Sequence, residues 1–214
     1  MEQVSQLLLV VMVFLSLYLL GSSSLTGCVR ILALQSICLG LLPMAIHERG
    51  FPARVLMLSI AFIIIKGILI PRILLYAIRE AKVRREVEPL IGFASSLLLG
   101  TMLIGVAFIL SDRLPTPPGL HSTLLVPVSL ATVMMGLLVM VSRIKALSQV
   151  IGYLVFENGI YLFGLAISYE MPSLIEMGVL LDVFVAVFIM GIVIHHISRE
   201  FNSISTEKLT QLSD

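Results

Sequence analysis

Three charged side chains lie near the middle of long, mostly apolar stretches. Glu157 lies within Val150–Ile167, Asp182 within Leu174–Ile194 and Lys66 within Ala61–Ile70. An ionised group at bilayer depth costs roughly 2.5–3.5 kcal/mol on insertion scales. A chain that keeps two acids and a lysine there is equipped to move protons or cations through protein. Tyr153 and Tyr161 stand four residues to either side of Glu157, on one helix face, so a carboxyl among neutral hydroxyls is expected. Gly178 and Ala186 flank Asp182 in the same way and leave room for water or a neighbouring helix. Lys66 is either a relay member or a fixed counter-charge. The structural alternatives are a protonated Glu157 acting as interhelical glue and an Asp182–Lys66 ion pair. Gln35 and Asn158 are polar residues that either line the path or join helices. His195 and His196 stand at the inner boundary, where a snorkelling position is the simpler reading.

These groups need helices to hold them. Hydrophobic residues make up 58% of the 214 and charged residues 13%, and the mean hydropathy is +1.09. That composition describes a polytopic membrane protein and excludes a soluble domain. Seven apolar runs, at about 4–21, 29–46, 54–77, 90–110, 122–141, 148–168 and 173–197, each approach the length a bilayer requires. The fold class is therefore all-α, a bundle of about seven transmembrane helices. The residues divide into an N-terminal four-helix region (1–110), a Pro-rich external loop (111–121), a three-helix region (122–198) and a cytoplasmic tail (199–214). Pro43, Pro71 and Pro127 fall inside spans and are expected to kink them or form irregular turns. The acidic start, Met1-Glu2-Gln3, lacks the basic region of a secretory signal, so the first run reads as an uncleaved span. Cys28 and Cys38 stand ten residues apart, about 15 Å on one helix, too far for a disulfide. No spacing typical of a metal or redox centre is present, and no nucleophile–base pair or phosphate loop, so the chain is not an enzyme by itself.

Lysine and arginine set the orientation. Arg30, Arg72, Arg79, Lys82, Arg84, Arg85, Arg143, Lys145, Arg199 and Lys208 fall on one side, and only Arg49, Arg54 and Arg113 on the other. The N-terminus is then outside and the C-terminus cytoplasmic. At ~1.5 Å rise per residue, Asp182, Glu157 and Lys66 lie about 14, 17 and 19 Å from the outer face, all near the midplane. Spans one to three and five to seven run in the same sense. Leu34-Gln35-Ser36 sits in the second span about where Phe156-Glu157-Asn158 sits in the sixth, an arrangement that resembles the parallel repeats of transporters.

The segments Gly152-Tyr-Leu-Val-Phe-Glu-Asn-Gly159, Pro172-Ser-Leu-Ile-Glu-Met-Gly178 and Asp182-Val-Phe-Val-Ala-Val187, with Ala61–Pro71 and Leu209-Thr-Gln-Leu212, resemble hydrogenase-4 component E. That family is similar, over its last three spans, to the K subunit of respiratory complex I and to the C subunit of Mrp-type antiporters. The resemblance implies that Glu157 takes the place of the first intramembrane glutamate of the complex I chain and Asp182 the second, one methylene shorter. It implies a membrane-arm component of a group 4 [NiFe]-hydrogenase, of the formate-hydrogenlyase kind, in the prokaryotic inner membrane. The nickel–iron centre and Fe–S clusters would sit on partner subunits, with none in this chain. The expected partners are antiporter-like membrane subunits, a membrane chain like the H subunit of complex I, and peripheral hydrogenase subunits. Two other readings stay open: a component of a cation/proton antiporter without redox partners, and a scaffold that docks an antiporter-like chain.

Overall fold

A computed structural model describes residues 2–46, 53–80, 90–114 and 123–167, and residues 184, 185, 187, 189 and 191 of the last apolar run. All described secondary structure of any length is helical: α1 (Glu2–Gly21), α2 (Leu25–Ile46), α3 (Ala53–Phe62), a π-helical segment (Ile63–Leu69), α4 (Ile70–Glu80), α5 (Phe93–Ser111), α6 (Leu125–Ser142) and α7 (Ala146–Ile167). Among the described residues, six stretches are long and apolar enough to cross a membrane: Gln3–Gly21, Leu25–Ile46, Ser59–Glu80, Phe93–Ser111, Leu125–Ser142 and Ala146–Ala166. The described positions of the last run are helical as well. The chain is a multi-pass helical membrane protein. Asp182, Gly178, His195, His196 and the tail lie outside the described residues.

The three prolines behave differently. Pro127 lies in the first turn of α6, because the helix begins at Leu125 rather than 122. An N–H is missing there at no cost, since first-turn donors have no partner inside the helix. Pro43 lies near the end of α2. Pro71 is the second residue of α4, two positions past the end of the π segment. Its ring would crowd the carbonyl four residues back and it cannot donate, so the turn before it widens. Ile70 N–H accordingly reaches back five residues, to Ile65 O. The third span is therefore not one continuous α-helix.

α2 is the hub of the bundle and packs against α1, α3, the π segment, α4 and α7. α6 and α7 form the tightest pair. Their contact is a seam of glycines. A methyl group placed on Gly152 would come 2.8 Å from Met140 N, and one on Gly159 would come 2.6 Å from Val133 N. One on Gly136 would strike the backbone of Phe156. The backbones thus touch at three successive levels, the close approach expected of Gly152 and Gly159. Among the described elements α5 packs mainly against α1 and α6, burying Ser96, Gly100, Ala107 and Ser111, and leaves Leu98, Met102 and Ile109 exposed.

Two apolar clusters lie on either side of a polar level, and a third gathers Leu20, Ala107, Ala131, Met135 and Val139. One gathers Leu19 of α1, Leu25 to Leu32 of α2, Ile70 to Ile78 of α4, Leu147 to Val155 of α7, and Val185 and Ile189. The other gathers Leu9 and Met12 of α1, Cys38 to Ile46 of α2, Phe62 of α3, and Leu162 and Ala166 of α7, with the start of α6. Both cysteines are free. Between the first two clusters, on α1, α2, the π segment and α7, fall Ser16, Gln35, Ser36, Lys66, Glu157 and Asn158, all buried.

Candidate functional site

Lys66 sits at the centre of the π segment. Gly67 beside it lets that segment close on α2: a methyl group there would lie 2.9 Å from Ile37 Cγ1. The side chain crosses to α7, where Nζ lies 3.2 Å from Glu157 Oε2. Lys66 keeps 3% of its surface exposed and Glu157 5%. The two charges are close, yet neither carboxylate oxygen accepts a directed hydrogen bond among the described residues. The attraction is coulombic, and Glu157 retains lone pairs that no described group uses.

The ammonium has a second oxygen. Lys66 Nζ donates to Asn158 Oδ1 at 3.4 Å, and lies 5.3 Å above the Phe62 ring. From Asn158 a chain of hydrogen bonds runs across the bundle. Asn158 Nδ2 donates to Gln35 Oε1 at 3.3 Å and to Ser36 Oγ at 3.4 Å. Gln35 Nε2 donates to Ser16 Oγ at 2.9 Å, and that hydroxyl donates to Met12 O at 2.9 Å. The order is fixed by its first member. An ammonium offers only donors, so the amide must turn its oxygen toward Lys66, and each later amide follows suit.

The structure thus brings Lys66, Glu157, Asn158 and Gln35 together. The neutral surroundings expected for Glu157 from Tyr153 and Tyr161 are corrected: a charged neighbour, Lys66, stands beside it. Tyr161 instead packs on Phe62, with ring centroids 4.6 Å apart. Tyr153 lies near Phe156, at 6.4 Å between centroids. It lines a groove of about 370 Å³ with Met140, Gln149 and Phe184. Asp182, the third expected member, lies outside the described residues. Ser16 and Phe62 are members that the sequence did not single out. A serine in an apolar helix usually bonds its own preceding turn, and Ser16 does that as well as accepting from Gln35.

A third buried charge stands at one end of the bundle. Arg143 belongs by sequence with the basic residues that mark the inner side, but only 3% of its surface is exposed. Its Nη2 donates to Leu20 O at 2.6 Å, at the C-terminus of α1. Its guanidinium lies 4.4 Å from the Phe93 ring centroid. A cation there meets the unpaired carbonyls and negative end of the helix. Gln149 Nε2 donates to Arg143 O at 3.1 Å, and Leu90 N–H to Ser142 O at 3.0 Å. Arg143 therefore ties α1, α5 and α6 together.

Fold and site define a class: a polytopic helical membrane protein with an ion pair enclosed at mid-bundle. The chain is 31% identical to hydrogenase-4 component E of Escherichia coli K12 over 161 residues, 74% of each chain. The Shigella flexneri protein of that name matches equally. An uncharacterized protein of Mycobacterium tuberculosis is 31% identical over 205 residues, 95% of this chain and 93% of that one. No family profile matches, and no solved structure does. The chain belongs to the hydrogenase-4 component E family.

Proposed function

We propose that this chain is a non-catalytic membrane component of a group 4 [NiFe]-hydrogenase-like complex, and that Glu157 takes up and releases the translocated ion. The nickel–iron and Fe–S centres belong to partner subunits. The membrane partners are antiporter-like chains and a chain like the H subunit of complex I. Asp182 serves as a second acid of the same path. Membership of the component E family supports the assembly. The observation that carries the ionic role is the Lys66–Glu157 pair, buried between two apolar clusters. Buried charges in membranes are expensive, and breaking such a pair is more so, which favours a working role over packing.

The test uses the intact complex in sealed vesicles. Glu157→Gln and Asp182→Asn keep size and hydrogen bonding but cannot change charge. Both variants should assemble and retain part of the electron-transfer chemistry, while ions moved per electron fall sharply. Pumping at the parent ratio in both would make the carboxylates structural and leave the scaffold reading.

A further inference from the structure

We infer that the ion taken by this site is the proton, and that Lys66 is the residue that keeps Na⁺ out. Its ammonium stands, on a tether, where Glu157 Oε2 and Asn158 Oδ1 converge. This rests on the reading of Glu157 as the exchanging group.

A bare cation in a dry interior needs several oxygens in place of its hydration shell. The other side-chain oxygens of this network, among the described residues, are already engaged. Asn158 Oδ1 accepts from Lys66. Gln35 Oε1 and Ser36 Oγ accept from Asn158 Nδ2. Ser16 Oγ accepts from Gln35 and donates to Met12 O. Every donor in this chain points away from Lys66, and the last acceptor is a backbone carbonyl. Turning either amide round would set an NH₂ against another donor, first of all the ammonium. The amides therefore cannot be redeployed as cation ligands. They do not titrate either, so Asn158 and Gln35 position Lys66 rather than carry the ion.

That leaves Glu157, whose oxygens accept no hydrogen bond among the described residues. One lone pair is enough for a proton: the carboxylate gains one O–H bond, becomes neutral, and later loses the same proton. Among the described residues this is the one carboxylate left open at that level, too few ligands to replace the hydration shell of Na⁺. A metal ion there would also stand beside the ammonium, and the two like charges would repel in a low-dielectric interior.

The experiment uses the whole complex, purified through this chain, reconstituted in sealed vesicles and driven by its own electron-transfer reaction. Proton movement is followed with an entrapped pH dye, in potassium buffer with and without Na⁺, and radioactive Na⁺ uptake is measured in parallel. The parent should move protons equally well without Na⁺. Any Na⁺ uptake should collapse with a protonophore. Uptake that persists or rises with the protonophore overturns the inference. Lys66→Arg keeps the tethered cation and should remain indifferent to Na⁺. Lys66→Ser removes it and adds an oxygen, so Na⁺ should stimulate its ion movement severalfold; no response in an assembled complex also overturns the role of Lys66. If Lys66→Ser does not assemble, the parent measurement decides alone. Glu157→Gln separates the two failures. Unchanged pumping in that variant sinks the site itself, whereas lost pumping together with primary Na⁺ transport by the parent sinks only the ion assignment.

Discussion

A lysine and a glutamate 3.2 Å apart in a sealed interior are worth more together than either alone. Removing one partner of such a pair leaves a buried charge and typically costs about 3–5 kcal/mol, whereas replacing both by apolar groups is often neutral. Lys66→Met should therefore destabilise the assembled protein by about that amount. Lys66→Met combined with Glu157→Leu should recover most of the loss. Heating the detergent-solubilised complex and following the fraction still assembled measures both, and a double variant no better than the single would show that the pair is not the stabilising unit. At this scale the sequence was informative where the residue type was costly. Lys66 and Glu157 declared themselves because a charge in hydrocarbon demands a reason. Their adjacency was visible only as equal depth, which says nothing of which side of a helix faces which. Ser16 carried no signal, since a hydroxyl that bonds its own helix is ordinary. Arg143 read as one more basic residue at a span end, because burial against Leu20 O depends on where α1 terminates.

Elements place these residues through backbone contact. The α6–α7 seam fixes the height of Glu157, two residues before Gly159 and one after Phe156, whose backbone meets Gly136. Gly159→Ala would set a methyl group 2.6 Å from Val133 N, and a backbone atom cannot turn aside as a side chain can. Overpacking of that kind costs typically ~1–3 kcal/mol. The variant should melt earlier in detergent, and Gly159→Leu earlier still. Gly105→Ala in α5 is the control: nothing lies within 4 Å of the added methyl. Alanine also exceeds glycine in helix propensity by about 1 kcal/mol, so stability there should hold or rise. Equal behaviour of the two alanine variants would count against the seam. The spans were legible from run length, and the seam from glycines seven residues apart. The π turn was legible only as an irregularity at Pro71, because a widened turn and a kink answer the same missing N–H.

Across the whole molecule, the ion pair is closed off at both ends. Leu32 and Leu154 belong to the apolar cluster on one side of the polar level, Leu39 and Leu162 to the cluster on the other. If Glu157 exchanges an ion as proposed, the two clusters must act as closures that open in turn, since a bundle open at both would leak. The positions that match in the repeat-like pattern, Gln35-Ser36 and Asn158, touch at this level, as expected if the proposed exchange site lies between two repeated halves. The orientation drawn from lysine and arginine then makes the Leu32–Leu154 side the cytoplasmic closure. Each closure can be loosened separately. Leu32→Ser should let water reach the pair from one side, and Leu39→Ser from the other, at about 2–5 kcal/mol of stability each. Either change alone leaves the opposite cluster shut, so resting vesicles containing the complex should hold a pH gradient nearly as well as the parent. With both, water reaches the carboxylate from both faces, and the gradient should decay quickly without any electron transfer. Adding Glu157→Gln to the double variant should slow that decay again, because the leak passes through the titrating group. A leak that persists with glutamine in place would mean that the substitutions had opened a route beside Glu157, and the two clusters would then be ordinary packing rather than closures.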